Sequence, residues 1–225
     1  MTRQSTTDTV ATMTTQPDRH TRRREATRTK LIQAAKSLFA RQGVDNTRIQ
    51  EITNEADVGF GSFYNHFQSK EAIIEAVLAE TVAAQGAEID ALTAQLDDPA
   101  EIISVAHRTF VRRARRDPAW AWLLVRLDVS HNVVLASLGF YARRDLRAGI
   151  RAGRLSVPHE GLAVFAAGGA LLYVMRAVLD GQAPKDADIY HAEGVLRLFG
   201  LSADDAAKIA RRPLPVGGTS AQDSA

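Results

Sequence analysis

Apolar residues recur at helical spacing along most of the chain. In the first third, Leu31, Ala35 and Leu38 lie three or four positions apart, and Gly43 follows them as a helix stop. This pattern predicts an amphipathic helix over residues 27–42. The same reasoning predicts further helices over residues 69–86 or beyond, 99–116, 118–130, 133–152, 159–180, 186–199 and 203–211. We therefore expect an all-α fold.

Between the first two long helices, the pattern predicts a short helix that ends near Glu55. Thr47 and Gln50 have the spacing of a capping box, which places Thr47 at the start of this helix. Ile49 and Ile52 supply its buried face.

A tight turn over residues 56–59 leads into a third short helix, predicted over residues 60–67. Phe63 and Phe67 are four positions apart and share one face, which can close a small core with the two preceding helices. A helix this short is not stable alone, and its other face is free to contact something else. Two short helices joined by a tight turn, behind a longer brace, form the helix-turn-helix plan.

Composition divides the chain into four parts. Residues 1–24 have almost nothing to bury and are predicted to form a disordered basic arm, whose arginine run is most simply a solvated charge cluster. Residues 25–72 are predicted to form the helix-turn-helix domain, and residues 73–212 a larger helical domain. Residues 213–225, which contain Pro and Gly, are predicted to form a flexible tail.

Charge is concentrated at one end of the chain. The net charge is +2, but residues 1–70 carry eleven Lys or Arg against seven Asp or Glu. This asymmetry is a weak indication of a polyanionic partner for the first third.

The sequence contains no cysteine, which excludes disulfides and thiolate sites. It has no apolar core of signal-peptide length and no run of about eighteen uninterrupted apolar residues. We expect a soluble cytoplasmic protein with no membrane partner.

Residues 27–73 read TRTKLIQAAKSLFARQGVDNTRIQEITNEADVGFGSFYNHFQSKEAI. The Leu-Phe pair before a Gly, the Thr that opens the second helix and the run Phe-Tyr-x-His-Phe-x-x-Lys-Glu resemble the DNA-binding domain of the TetR family of bacterial transcriptional regulators. The resemblance implies homodimers whose second motif helix enters the major groove of double-stranded DNA. It also implies a variable carboxyl-terminal domain for a ligand and for dimerisation.

The outer face of the predicted motif offers the groups that DNA backbone contacts need. Tyr64, His66 and Lys70 supply donors near one end of the third helix, and Thr47 matches the family's phosphate-contacting cap. Capping or solvation is the ordinary alternative for each. The predicted DNA contacts are Thr47, Arg48, Gln50, Phe60, Gly61, Ser62, Tyr64, Asn65, His66 and Lys70.

Base recognition is expected from the first turn of the third helix and from Asn65. Many relatives have Ser at position 59 and a polar or basic residue at position 60, where this chain has Gly59 and Phe60. Phe60 cannot donate a hydrogen bond but can contact thymine methyl groups, unless it packs on its own domain. Gly61 lets the helix backbone approach DNA closely.

No catalytic grouping is recognisable in residues 100–200. The region has no His-Glu-x-x-His pair, no Gly-x-Ser-x-Gly and no phosphate loop, so we predict no enzyme activity, cofactor or metal. Its apolar bulk is either plain core or, as the resemblance implies, the lining of a cavity for a small hydrophobic or amphipathic effector. The candidate lining residues, three of which could orient a polar group, are His107, Phe110, Trp120, Trp122, Arg126, His131, Phe140, Tyr141, Tyr173 and Met175.

Residues 159–181 are apolar on nearly all sides and carry small residues at 166–169. A helix of this kind must be buried. With the helix over residues 186–199 it could form a four-helix dimer interface, as in the family, or it could be the central helix of a monomer.

The sequence thus predicts a ligand-responsive transcriptional regulator, most simply a repressor, that binds a palindromic operator as a homodimer. Two equivalent recognition helices need half-sites about 34 Å apart or a multiple of that spacing. The first alternative is an architectural DNA-binding protein without an effector. The second, an enzyme with a fused DNA-binding segment, is disfavoured because no catalytic grouping is recognisable.

Overall fold

The computed structural model describes residues 18–125 and 127–215, with side chains in all of these except 127–138. All regular elements within these residues are helices. In chain order they are α1 (Arg19–Gln42), α2 (Ile49–Glu55), α3 (Phe60–Tyr64), α4 (Lys70–Thr93), α5 (Pro99–Arg116), α6 (Pro118–Val125), α7 (Leu127–Arg151), α8 (Glu160–Leu179), α9 (Ala187–Leu198) and α10 (Ala203–Ala210).

The first three helices and the start of α4 enclose one apolar core, which agrees with the predicted helix-turn-helix arrangement. Each element contributes at least one side chain that is fully shielded from solvent. These side chains are Leu31 and Ile32 from α1, Ile52 from α2, Phe63 from α3 and Ile73 from α4. Because α2 and α3 are too short to be stable alone, this shared core fixes their positions.

Helix α1 begins at Arg19, earlier than the predicted start at residue 27, and takes in residues 19–24 of the predicted disordered arm. Arginine has a high helix propensity, and no glycine or proline lies between Asp18 and Gly43. Asp18 occupies the N-cap position.

The capping box predicted from Thr47 and Gln50 is wrong by one residue. The N-cap of α2 is Arg48, whose backbone N–H donates to Oε2 of Glu51 at 2.7 Å. This bond, followed by one from Gln42, lowers the pKa of the Glu51 carboxyl. Thr47 instead turns inward and donates its hydroxyl to the carbonyl oxygen of Gly43 at 2.8 Å.

The predicted break near residues 131–132 is also wrong. Helix α6 ends at Val125, and α7 runs without interruption from Leu127 to Arg151. His131 and Asn132 are weak helix formers but do not break a helix as proline does, and tertiary packing overrides so small a preference.

Glycines end the helices where the sequence predicted stops. Gly43, Gly153, Gly181 and Gly200 all have positive φ, between 68° and 94°. At Gly200 the constraint is also steric, because a Cβ there would lie 2.5 Å from the carbonyl oxygen of Ser156.

In the larger domain, α5 packs against α7, α8 and α9. One apolar core runs from the helix-turn-helix domain through Val77 and Leu78 of α4 to Phe110 and Leu171. The two domains therefore share a core, which α4 carries across together with the contact between α6 and α1.

Helix α8 is apolar and long enough to satisfy the length and composition test for crossing a membrane, with a mean hydropathy of 1.9. Buried core helices of soluble proteins satisfy the same test. Only 33% of its apolar window is buried within this chain, which leaves an uncovered apolar side.

Candidate nucleic-acid interface and ligand cavity

The outer side of α3 presents aromatic rings to solvent, while its inner side is closed. Phe60 and Tyr64 are 45% and 51% exposed, and their rings meet edge to face with centroids 5.7 Å apart. Phe63 and Phe67 lie beneath them in the core. Phe60 therefore contacts Tyr64 but does not enter the core of its domain, and the exposed part of its ring is available to a partner.

Polar groups surround these two rings. Arg48 and Asn65 are exposed, as is Gln50, whose amide nitrogen donates to Oδ1 of Asn54 at 3.1 Å. Of the predicted phosphate contacts, Tyr64 and part of Lys70 are at the surface, but Thr47 is only 1% exposed. The Thr47 side chain thus offers almost no surface to DNA, which is a correction to its predicted role.

His66 is half-buried beside the end of α3, and Ser62 is half-buried within it. Burial, and then the positive charges of Arg24 and Arg28, lower the pKa of the His66 imidazole. The ring is therefore neutral near pH 7 and would act through one N–H donor rather than as a cation.

Gly61 lies on the exposed side of α3, and a Cβ built there meets no atom of the protein within 4 Å. The fold itself does not require glycine at this position. Its absent side chain is instead suited to a close approach from outside.

A small cavity of about 70 Å³ lies in the larger domain between α4, α5, α7 and α8. Three of the predicted ligand contacts, His107, Phe110 and Tyr141, line it. The remaining wall is mostly apolar and also includes Gly86, Ile89, Asp90, Ile103, Ala106, Gly139, Ala142, Asp145, Val164, Ala167, Gly168, Leu171 and Phe199.

A charged network, which no pattern in the sequence indicated, lies on one side of this cavity. Arg144 of α7 donates two hydrogen bonds to Asp90 of α4, at 2.6 and 2.8 Å, and a third to Asp145 at 2.8 Å. Its guanidinium also lies 5.4 Å from the ring centroid of Tyr141. The bidentate bond lowers the pKa of Asp90, and both carboxylates raise the pKa of Arg144.

Asp145 is held differently from Asp90. Burial raises the pKa of its carboxyl, and Arg144 only partly offsets this shift. Among the described residues, Arg144 is the donor to Asp145, and it uses one carboxylate oxygen. A hydroxyl donor in the cavity would supply a second hydrogen bond to a desolvated carboxylate.

A half-buried histidine that lines the cavity meets a buried one behind it. Nδ1 of His107 lies 2.9 Å from Nε2 of His191 on α9, so one ring donates and the other accepts. Burial lowers the pKa of His107 to about 3 and that of His191 to about 4. Both rings are therefore neutral at physiological pH.

The other predicted ligand contacts lie elsewhere. Trp120 and Trp122 border an open cleft of about 790 Å³ between the end of α1 and α6, and Met175 is fully buried in the core. Phe140 and Tyr173 are 68% and 75% exposed. Arg126 and the side chain of His131 lie outside the described residues.

The exposed side of α8 and α9 forms an apolar face. Its large side chains, all at least 44% exposed, are Leu162, Phe165, Tyr173, Tyr190 and Leu198. Small residues at 166, 169 and 170 lie between them on α8. Large exposed apolar patches of this kind mark interaction surfaces.

The geometry defines a helix-turn-helix protein with a second, larger helical domain, and comparisons with known proteins agree. Residues 31–77 match the family model for bacterial regulatory proteins of the tetR family, and residues 98–212 match the tetracyclin repressor-like carboxyl-terminal domain. The chain belongs to the tetR family. It is accordingly a DNA-binding transcriptional regulator.

The structure of RolR in complex with resorcinol is 36% identical to this chain, with a TM-score of 0.77, and the match covers 87% of this chain and 98% of RolR. RolR without ligand has 35% identity and a TM-score of 0.74, covering 84% of this chain and 98% of RolR. FadR of Thermus thermophilus in complex with lauroyl-CoA is 22% identical, with a TM-score of 0.61 over 85% of this chain and all of FadR, and shares the fold.

Among curated relatives, the helix-turn-helix-type transcriptional repressor KstR2 of Rhodococcus jostii is 36% identical over 66 residues. This segment is 29% of the present chain and 32% of KstR2, so the match spans about a third of the relative's length.

Proposed function

We propose that this regulator is a repressor that binds a palindromic operator as a homodimer and is released by a small hydroxylated ligand. The observation that carries the DNA-binding part is the outer side of α3, where Phe60 and Tyr64 are exposed above the buried Phe63 and Phe67. A surface of exposed aromatic rings with a polar rim is costly in water unless a partner covers it.

In this proposal the start of α3 and the groups near its end have separate tasks on DNA. Phe60 and Gly61 face the floor of the major groove, where the Phe60 ring contacts thymine methyl groups. Tyr64 and Lys70 contact phosphates and set the register of the helix, assisted by Arg48. Thr47 contributes only by holding the turn before α2.

The apolar face of α8 and α9 is the proposed dimer interface. Pairing it with its symmetry copy would cover side chains such as Phe165 and Tyr173, which are more than half exposed in one chain. The small residues of α8 would let the two helices approach closely. A monomer by sedimentation at micromolar concentration would contradict this part of the proposal.

The cavity beside Arg144 is the proposed effector site. Its wall is mostly apolar, and its polar residues are the acceptors Asp90 and Asp145, the neutral ring of His107 and Tyr141. These groups suit an uncharged, flat molecule with hydroxyl donors. The 36% identical relative RolR is bound to resorcinol, which supports a hydroxylated aromatic compound of one ring.

The effector test uses a DNA duplex selected from a random pool by the full chain. This duplex is titrated with the protein, with and without resorcinol or phenol. We expect resorcinol to weaken binding at least tenfold, and Asp145→Asn to reduce that response at least tenfold. Trp122→Ala, in the larger cleft, is the matched control and should respond as the parent does.

Several outcomes would contradict the proposal. If Trp122→Ala rather than Asp145→Asn lost the response, the effector would bind in the cleft between the domains. If neither ligand changed DNA binding, a hydroxylated single-ring effector would be excluded. If Lys70→Ala and Tyr64→Ala bound DNA with unaltered affinity and salt dependence, the phosphate contacts would be wrong.

The rival function, an architectural protein without an effector, predicts a small ratio of specific to non-specific affinity. Competition of the selected duplex with bulk DNA separates the two proposals, since a specific regulator is expected to prefer its site by about a thousandfold or more. A regulator of this kind would act in the cytoplasm, where bacterial DNA lies.

A further inference from the structure

We propose that the basic first turns of α1 form a second DNA-backbone contact, which binds phosphates outside the segment read by α3. This inference rests on the proposed DNA-binding function of the helix-turn-helix domain. It concerns residues 19–28, which belong to neither helix of that motif.

The start of α1 lies against the end of the recognition helix. Arg24 donates to the carbonyl oxygen of Asn65, the C-cap of α3, at 3.4 Å. One turn further on, the Arg28 guanidinium lies 5.1 Å from the ring centroid of Phe67. A recognition helix that fills the major groove brings its ends close to the phosphates that border the groove, so α1 would meet the backbone there.

The charge of this segment suits a polyanion. Between residues 19 and 30 there are six Arg or Lys and a single acid, Glu25. Within the part of the chain that the structure describes, no ion pair involves Arg19, Arg23, Arg24 or Arg28. All four are exposed.

The position of these arginines in the helix makes a purely structural role unfavourable. The amino end of a helix carries a partial positive charge and favours acidic side chains, yet α1 has one acid at its N-cap, Asp18, and none in its first turn. Arginines gathered there repel one another and the helix dipole. Phosphates bound beside them would remove both repulsions, and the segment would become a more stable helix on DNA.

The segment is long enough to extend the DNA footprint. Arg28 lies nine positions after Arg19, which is about 14 Å of helix, the length of about four base pairs of DNA. The added contacts would therefore lie in the flank of each half-site, and they would carry no sequence preference of their own.

The test compares two triple variants of the full chain that lose the same charge. Arg19→Gln/Arg23→Gln/Arg24→Gln alters the start of α1, where Gln is a good helix former. Its control, Arg116→Gln/Arg151→Gln/Lys185→Gln, alters exposed positions of the larger domain. Each is titrated with the selected duplex, either trimmed to the half-sites or carrying five extra base pairs at each end, between 50 and 300 mM salt.

With the longer duplex, we expect the α1 variant to bind about ten- to a hundredfold more weakly than the parent and to have a shallower salt dependence. Each lost phosphate contact should reduce the slope of log K against log salt by about 0.9. The control should match the parent, and all three proteins should bind the trimmed duplex alike. Amide exchange in residues 19–28 should slow when the parent binds the longer duplex.

Equal affinity and salt slope for both triple variants on the longer duplex would overturn this inference while leaving the motif's own contacts intact. So would unchanged amide exchange in residues 19–28 on DNA. Failure of the parent chain to prefer any duplex would instead overturn the proposed function.

Discussion

Lowering the pH from 7 to 5.5 should destabilise the fold through one hydrogen-bonded pair in the larger domain, His107 and His191. Both rings are neutral in the folded protein, with pKa values lowered to about 3 and about 4, and in the unfolded chain each returns to the usual pKa near 6.5. Below pH 6.5 the unfolded state therefore binds more protons than the folded state. By linkage, the free energy of unfolding falls as the pH falls toward the folded pKa values.

The magnitude follows from the number of protons. Near pH 5 the unfolded chain holds close to two more protons on this pair than the folded chain, which gives a slope of about 2.5 kcal/mol per pH unit. Integrated between pH 7 and 5.5, where each ring passes through its unfolded pKa, the loss is about 2 to 3 kcal/mol.

The assay is urea unfolding at fixed protein concentration across this pH range, followed by circular dichroism. The reference is His107→Leu/His191→Leu, which replaces both partners of the hydrogen bond with apolar side chains of similar size and so leaves neither unpaired. Between pH 7 and 5.5, the free energy of unfolding of this double variant should fall by about 2 to 3 kcal/mol less than that of the parent. His20→Gln, at an exposed position, should match the parent. Identical pH dependence in the parent and the double variant would refute the reasoning.

Three substitutions test other positions. Gly86→Ala should weaken the effector response but not the intrinsic affinity for DNA, because the alanine Cβ would lie 2.5 Å from the Tyr141 ring. Adding Tyr141→Leu to this variant should relieve the clash. An unaltered response in Gly86→Ala alone would contradict the placement of the effector site. Gly61→Ala should leave thermal stability equal or raised by up to about 1 kcal/mol, since its Cβ meets nothing, while DNA affinity falls; unchanged affinity would show that the backbone does not approach DNA there. Asp57 has a positive φ of 53°, which strains a β-branched residue. Asp57→Val should therefore lower the free energy of unfolding in urea by about 1 to 2 kcal/mol, while Asp57→Asn leaves it nearly unchanged. Equal stabilities of the two variants would show that the positive φ causes no strain.

Much of the helical architecture could be read from the sequence because helical periodicity and glycine stops are local signals. The inward positions of Phe63 and Phe67 followed from their four-residue spacing. Once these two side chains point inward, Tyr64 must point outward. Capping was harder to place. The start of α2 depended on whether Thr47 or Arg48 occupied the N-cap position. In the structure it is Arg48, because Glu51, three residues further on, accepts the backbone N–H of Arg48.

The ligand cavity could be predicted only in part, because its polar groups come together through the fold. Asp90 and Arg144 lie 54 positions apart, and each taken alone resembles a charged residue on a solvated helix face. The aromatic residues Phe140 and Tyr173 were wrongly predicted to line the cavity for a different reason. Periodicity shows that Tyr173 belongs to an apolar side of α8, but it does not show whether this side is buried within the chain or exposed, as Tyr173 is.

The cavity and α4 together indicate how binding of the proposed effector could change the position of the DNA-binding surface. A volume of about 70 Å³ is roughly half that of an engineered cavity known to admit a single benzene ring, so an aromatic ligand must push the wall outward. The wall on one side is α4, which Arg144 ties to α7 through Asp90. Asp90 and Lys70 lie on this same helix, about 30 Å apart, so a tilt of α4 at the cavity moves the domain that carries α3. In the proposed dimer, a ligand that competes for Arg144 or displaces Asp90 would thus favour a different spacing of the two recognition helices. The energy for this shift can come only from the ligand's preference for the expanded cavity.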